Sequence, residues 1–288
     1  MILVTGATGN SGLEVVRRLS AKNLAVRALT RNPGKAEKIA GVEWVKGNFD
    51  DVDSLQRAMA GVERVVLISP AHSDMAKHQS NVIQTARAAG ISRIVKLSGL
   101  GAGPDAQIRL PRLHHQIEQE IIGSGIDYAF VRPNLFMQVL LGSAASIAND
   151  GAIYAPAGDS AISFTDVRDI ADVMVCAVTS DSHRNGAYEV TGPAAITYAQ
   201  AAETIGKAIG KPVRYVAVTP EMARESMLSS GMDKWLTEAF LELFEIYRAG
   251  YGAVVLSSTV EQVTKHAANT LENFSKDYKP FFTRQQAA

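Results

Sequence analysis

A glycine-rich turn follows the first apolar run of this chain almost at once. Residues 2–5 read as a short strand, Gly6-Ala-Thr-Gly9-Asn-Ser-Gly12 comes directly after, and residues 11–20 carry helical spacing. Glycines at G-x-x-G-x-x-G let the chain turn sharply, let backbone approach a ligand and let the helix pack on its strand. The free N–H groups that open the helix, with the helix dipole behind them, then suit a pyrophosphate. Gly6, Thr8, Gly9, Asn10, Ser11 and Gly12 are therefore the candidate phosphate cradle of a dinucleotide. A ligand-free tight turn is the alternative, and the strand–loop–helix context makes it the weaker one.

Strand and helix patterns then alternate. Residues 25–30, 43–46, 64–68, 93–98 and 127–132 are short, β-branched and bounded by Gly, Pro or Asn, as strands are. Helical spacing falls on residues 34–39, 52–60, 75–89 and 110–123, with Asp51, Gly61, Gly90, Gly123 and Gly125 marking ends. Such alternation predicts an α/β, Rossmann-type, doubly wound parallel sheet with helices on both faces. Beyond Pro133 the rhythm changes. Residues 151–159 read as a loop, 167–179 as a helix, 187–191 and 213–218 as strands. Thr197-x-x-Gln200 has the form of a capping box, and residues 232–249 form a longer amphipathic helix. The expected organisation is a dinucleotide-binding domain over 1–133, with further elements contributed from 151–192, and a smaller C-terminal α/β substrate lobe over 134–288. No linker separates the two.

The second strand ends in Leu29-Thr30-Arg31-Asn32, and no carboxylate stands between Glu14 and Glu37. A fold that selects NAD places an acid near here to hold the ribose 2′-hydroxyl; Arg31, with Lys35 one turn on, suits the 2′-phosphate of NADP(H) instead. A solvated arginine is the plainer alternative. Ligands of such sheets sit beyond the carboxyl ends of the strands. By that rule Phe49 and Asp50 flank the adenine, Ser69 and Pro70 lie beside the ribose or nicotinamide, and Ser98 and Gly99 lie beside the nicotinamide.

Lys and Arg number 29 and so do Asp and Glu, so the basic excess of a phosphate-gripping nucleic-acid binder is missing. The single cysteine, Cys176, forbids an intramolecular disulfide and a cysteine zinc site, and suits a reducing cytoplasm. No segment has the apolar length of a membrane span. His72 and His78 lack H-E-x-x-H spacing, so no metal is expected.

The glycine turn, Thr30-Arg-Asn-Pro33, Gly47-Asn-Phe-Asp50, His114-x-x-x-Glu118, Ser124-Gly-Ile-Asp-Tyr128 and Arg132-Pro-Asn-Leu-Phe-Met137 together resemble the atypical short-chain dehydrogenases/reductases. More narrowly, the chain resembles the NmrA-like group, which includes NADPH-dependent quinone oxidoreductases, triphenylmethane reductase and azo-dye reductases. Phe164–Ala171 and Tyr247-Arg-Ala-Gly-Tyr251 fit the later part of that pattern. The resemblance implies NADPH as cofactor, bound by the positions named above. It also implies two kinds of member: reductases, and non-catalytic redox sensors that bind NADP(H) and a protein partner.

A typical short-chain dehydrogenase passes its proton through a Tyr-x-x-x-Lys pair. None of the eight tyrosines here has a lysine four places on. His114 falls where the resembled group carries His or Lys near the nicotinamide, and is the candidate catalytic residue; an exposed helix histidine, or one paired with Glu118, is the alternative. A quinone, an azo bond or a cationic dye spreads added charge over a conjugated system, so its reduction asks mainly for close contact with the nicotinamide. The expected acceptor is a small aromatic or quinone-like molecule in an apolar pocket walled by Phe136, Met137 and the C-terminal helices. Trp235, Phe240, Phe244, Tyr247 and Tyr251 form a stripe that is mostly core, with Tyr247 the member assigned to the pocket. The expected activity is hydride transfer from NADPH to such an acceptor; the alternative is a cofactor-sensing regulator without turnover.

Overall fold

The computed structural model describes residues 1–283. In chain order the elements begin β1 (Ile2–Val4), α1 (Asn10–Ala21), β2 (Val26–Thr30), β3 (Val42–Lys46), α2 (Val52–Met59) and β4 (Arg64–Leu67). There follow α3 (Met75–Ala88), β5 (Arg93–Leu97), α4 (Arg109–Ser124), β6 (Asp127–Pro133), α5 (Ala144–Asp150) and β7 (Ala152–Ala155). Next come α6 (Val167–Thr179), β8 (Gly186–Val190), α7 (Tyr198–Ile209), β9 (Arg214–Ala217), α8 (Pro220–Ser229) and α9 (Lys234–Arg248). The last are α10 (Thr259–Thr264), α11 (Leu271–Asp277) and α12 (Lys279–Thr283). Two compact units result: Met1–Pro133 with Val167–Glu189, and Asn134–Asp166 with Val190–Ala288.

The first unit is built on a seven-stranded sheet in the order β3-β2-β1-β4-β5-β6-β8. From β3 to β6 every neighbouring pair is parallel; Ile2 is in register with Val26 on one side and Arg64 on the other. Because successive side chains point to opposite faces, each strand feeds two cores. Leu3, Leu67, Ile94 and Phe130 meet Leu55, Met59, Ile83, Ile117 and Ile121 from α2, α3 and α4. The other face is covered by α1 and α6, which pack on each other. Burial on both sides explains why these strands read as continuous apolar runs. Local signals set the ends: the Asp51 carboxylate accepts from the Ser54 N–H to start α2, and Gly125 at φ +78° stops α4. The strand order reverses between β1 and β4, and Thr5 bridges them there. Its hydroxyl donates to the Ile68 carbonyl at 2.7 Å and accepts from the Ile68 N–H at 3.0 Å.

The second unit gathers Leu135, Ile153, Phe164, Tyr198, Ile205, Phe244 and Phe274 into its own core. Thr197 and Gln200 form the expected capping box at the start of α7. Two expectations fail. Residues 34–39 form no α-helix, only a 3-10 turn over Pro33–Lys35. The Asn32 side chain caps nothing, Ala36 is extended, and Glu37 is drawn off by Arg17, which binds it at 2.5 Å. Residues 151–159 are not all loop either, since β7 pairs in parallel with β9, Ile153 opposite Tyr215. That pairing spans some sixty residues of chain and leaves no local signature. Among the described residues no helix is long and apolar enough to cross a membrane.

Candidate active site

The three glycines of the first loop are required for three different reasons. Gly6 has φ +59°, and a Cβ there would stand 2.7 Å from the Ile68 carbonyl oxygen, at the reversal between β1 and β4. At Gly12 a Cβ would sit 2.2 Å from the Gly6 oxygen and 2.9 Å from the Ala7 Cα, so α1 packs on its own loop only through glycine. Gly9 is unlike both. A Cβ there meets only the Gly6 oxygen, at an ordinary 3.4 Å, and φ is −83°. Nothing within the chain demands glycine at that exposed position, whereas a ligand lying on the backbone would. The opening turn of α1 has no side-chain cap and no acidic residue, which leaves its N–H groups to an anion. These residues fit the pyrophosphate of a dinucleotide.

At the end of β2, Arg31 is exposed and makes no hydrogen bond or ion pair among the described residues, while Arg17 and Arg27 are both engaged by carboxylates. Lys35 closes the 3-10 turn beside it and is exposed too. Asp50, after β3, is exposed and held by Lys77 at 2.8 Å and His78 at 3.2 Å, and these partners keep its carboxyl below the usual range. Phe49 stacks on His78, with ring centroids 5.8 Å apart, and His78 stacks in turn on His72. After β4, Pro70 is exposed and the Ser69 hydroxyl accepts from the Gln79 amide at 2.8 Å. The Oε1 of Gln79 is buried and has no partner among the described residues.

The ends of β5 and β6 hold a buried charge cluster. Glu118 of α4, 1% exposed, accepts from the Ser98 hydroxyl at 2.6 Å and takes Arg132 in a two-point grip of 3.0 and 2.5 Å. Lys96 lies fully buried in the middle of β5, its Nζ 3.0 Å from the Leu97 carbonyl oxygen and 2.8 Å from the His114 Nδ1. Burial pushes the Lys96 ammonium down to about 7, with Glu118 opposing the fall and Arg132 adding to it. His114 is held well below the ordinary histidine value, first by desolvation, then by the Lys96 and Arg132 charges, so its ring is neutral. Gly99 packs against that ring: a Cβ there would come within 2.9 Å of the imidazole Cδ2. His114 is thus neither a solvated helix histidine nor the partner of Glu118.

In the second unit, Phe136 is partly exposed and is tied to Thr165 by an isolated bridge. Met137 and Tyr247 belong to that unit's core, at 2% and 4% exposure. The Tyr247 hydroxyl donates to the Asn134 Oδ1 at 2.8 Å, and the Asn134 amide donates to Ser163 and to the Gly252 carbonyl. Tyr247 therefore braces the chain after β6 from within the core.

Sequence reasoning missed Lys96 and Arg132. The signal for Lys96 was present: a lysine in the middle of an apolar strand of a sheet covered on both faces needs a partner. That the partner is His114, eighteen residues on, is visible only once α4 lies on the sheet.

The model of the NmrA-like family matches residues 1–280. An NAD(P)H azoreductase of Xenophilus azovorans is 38% identical over 284 residues, covering 98% of this chain and 99% of that protein. The NADPH-dependent quinone oxidoreductase of Escherichia coli, solved with NADPH, superposes with a TM-score of 0.85 at 28% identity, covering 96% and 99% of the two chains. The triphenylmethane reductase of a Citrobacter species, complexed with NADP(H), superposes with a TM-score of 0.84 at 26% identity over 96% and 99%.

Proposed function

The chain belongs to the NmrA-like family, and from that premise we propose that it binds NADPH at the glycine loop and reduces a quinone or another conjugated, dye-like acceptor. It is an NAD(P)H-dependent oxidoreductase, as its relatives are. The observation that carries the assignment is Gly9, a glycine that no contact within the chain requires, at the open end of an uncapped helix.

When bound, the reduced dinucleotide supplies hydride. The chain's own residues do the rest. Gly6, Gly9 and Gly12 shape the backbone around the pyrophosphate, with Thr8, Asn10 and Ser11 supplying further loop contacts. Arg31, with Lys35 nearby, meets the 2′-phosphate; its freedom from carboxylate partners among the described residues supports this. Phe49 and Asp50 border the adenine, and Ser69, Pro70, Ser98 and Gly99 border the far ribose and nicotinamide. In the second unit, Phe136 is the partly exposed aromatic offered to an aromatic ligand, while Met137 and Tyr247 lie in that unit's core. His114 meets the acceptor atom that takes up charge, and offers it a hydrogen bond or a proton. A conjugated acceptor needs no more acid than this, because its added charge is delocalised. The acceptor is a small aromatic molecule, the neutral composition gives nucleic acid no purchase, and one thiol without a disulfide suits the cytoplasm.

The second reading, an NADP(H) sensor that binds a protein partner without turnover, is favoured by the missing Tyr-x-x-x-Lys pair. Loss of reduced-nicotinamide absorbance, assayed across quinones and azo dyes, separates the two. Turnover of at least one acceptor is expected. Tight NADPH binding with no turnover of any would assign the sensor role.

A further inference from the structure

We propose that Lys96 is a positioning residue that fixes His114 as its Nε2–H tautomer and resupplies the imidazole with a proton during turnover. The inference rests on the reductase reading above and goes past it to the source of the proton.

The geometry starts from what each nitrogen can do. An ammonium has donors only, and a neutral imidazole has one donor and one acceptor nitrogen. Lys96 Nζ stands 2.8 Å from His114 Nδ1 and 3.0 Å from the Leu97 carbonyl oxygen. With the lysine charged, Nδ1 must accept, so the ring proton sits on Nε2. A protonated ring would place two cations within that same 2.8 Å, which burial and the nearby Arg132 make worse. The charged groups around the imidazole are Lys96 from β5, Glu118 from α4 and Arg132 from β6. Glu118 does not compete for Nδ1, because Ser98 and Arg132 occupy both its oxygens. The opposite edge of the ring lies over Gly99, where a Cβ would come within 3.3 Å of Nε2. Gly99 is two residues past the end of β5, so the Nε2–H edge is at the carboxyl ends of the strands, where this fold class holds its ligands.

The proton balance follows. Hydride brings the acceptor two electrons and one hydrogen, and leaves negative charge on its oxygen or nitrogen. The Nε2–H bond breaks as that atom gains a proton. The Nζ–H bond breaks as Nδ1 gains one. The imidazole stays neutral and exchanges tautomer and the ammonium becomes an amine; the cycle closes when Nε2 takes a proton from water and Nδ1 returns its own to the Nζ amine, which restores the Nε2–H ring and the ammonium together. A lysine poised near neutrality by its burial suits this cycle.

The test pairs two variants. Lys96→Gln keeps a donor for Nδ1 but has no proton to give; Lys96→Met has neither. Long-range proton–nitrogen NMR on histidine-labelled protein, with His114 assigned by its disappearance in His114→Gln, reads the tautomer with no turnover needed. Nε2–H is expected in the wild type and in Lys96→Gln, and a mixed or Nδ1–H ring in Lys96→Met. In quinone turnover Lys96→Gln is expected to lower kcat about tenfold or more, with the acceptor KM and the NADPH Kd unchanged. A wild-type ring that is Nδ1–H, or cationic at neutral pH, overturns the proposal without any variant; so does Lys96→Met that keeps a pure Nε2–H ring. If no acceptor is reduced while the tautomer pattern holds, the reductase reading fails and the proton supply with it. If quinone is turned over and the pattern fails, only the role given to Lys96 falls.

Discussion

Lys96→Met should flatten the alkaline rise in the stability of the first unit. Burial lowers the Lys96 ammonium from 10.5 to about 7. Between those values the unfolded chain holds a proton that the folded chain has released. Stability therefore rises with pH in that window and is lost as pH falls toward 7, at about 1.4 kcal/mol per pH unit for one proton. From about pH 7.5 to about pH 9 the wild type should gain about 2 kcal/mol that Lys96→Met does not. His114 titrates below this range and the Arg132 guanidinium above it, so neither supplies the same slope. The chain's two tryptophans are Trp44, in β3 of the same sheet as Lys96, and Trp235, in α9. Urea unfolding followed by Trp44 fluorescence in a Trp235→Phe background reads the relevant unit. At an m-value of about 3 kcal/mol per M the extra gain is a midpoint shift of roughly 0.6 M. The substitution also strips Nδ1 of its donor, but that offset does not vary with pH in this range. Parallel wild-type and variant profiles would show that Lys96 is not desolvated in the folded chain, and would remove the basis for the buried cluster.

The glycine loop gives a paired test: Gly12→Ala, forced against the Gly6 oxygen, should lower the melting temperature and abolish NADPH binding. Gly9→Ala should melt as the wild type does, yet bind NADPH at least tenfold more weakly by fluorescence titration, an estimate of about 1.4 kcal/mol for displaced phosphate contacts; unchanged affinity would remove the pyrophosphate from that spot. Arg31→Glu should weaken NADPH far more than NADH in the same titration, and an equal loss would show that Arg31 does not meet the 2′-phosphate. Glu118→Gln leaves the Arg132 guanidinium without its buried counter-charge and should destabilise the first unit by about 3 kcal/mol, measured as a lower urea midpoint at constant m-value.

What could be read from the sequence is what is encoded locally. The glycine spacing, the Thr197 capping box and the six apolar runs of the sheet each announce themselves within a dozen residues. The 3-10 turn at Pro33–Lys35 misled because helical spacing over six residues is too little to propagate a helix once its cap is missing. β7 was illegible for the opposite reason: its partner β9 is distant in sequence, and four residues between Gly151 and Pro156 look like a loop until they pair. The charge cluster around His114 shows the same division. His114 stood out as an imidazole on a helix, but Lys96, which sets its protonation, and Arg132, which neutralises Glu118, lie on different strands.

Those non-local contacts have a consequence for charge. Glu118 and Arg132 cancel each other, His114 is neutral, and the remaining ionisable group of the cluster is a lysine that burial has brought close to losing its proton. On the proposed reading, an acceptor near His114 that takes up hydride would place its new negative charge beside a cluster whose uncompensated charge is zero or positive. That charge would be stabilised where it forms, by groups already in place and with little reorganisation. A carboxylate left free in the same position would oppose it. Holding Glu118 between Ser98 and Arg132 thus does two things at once: it keeps the acid away from the imidazole, and it leaves Lys96 as the member of the cluster whose charge changes near neutral pH.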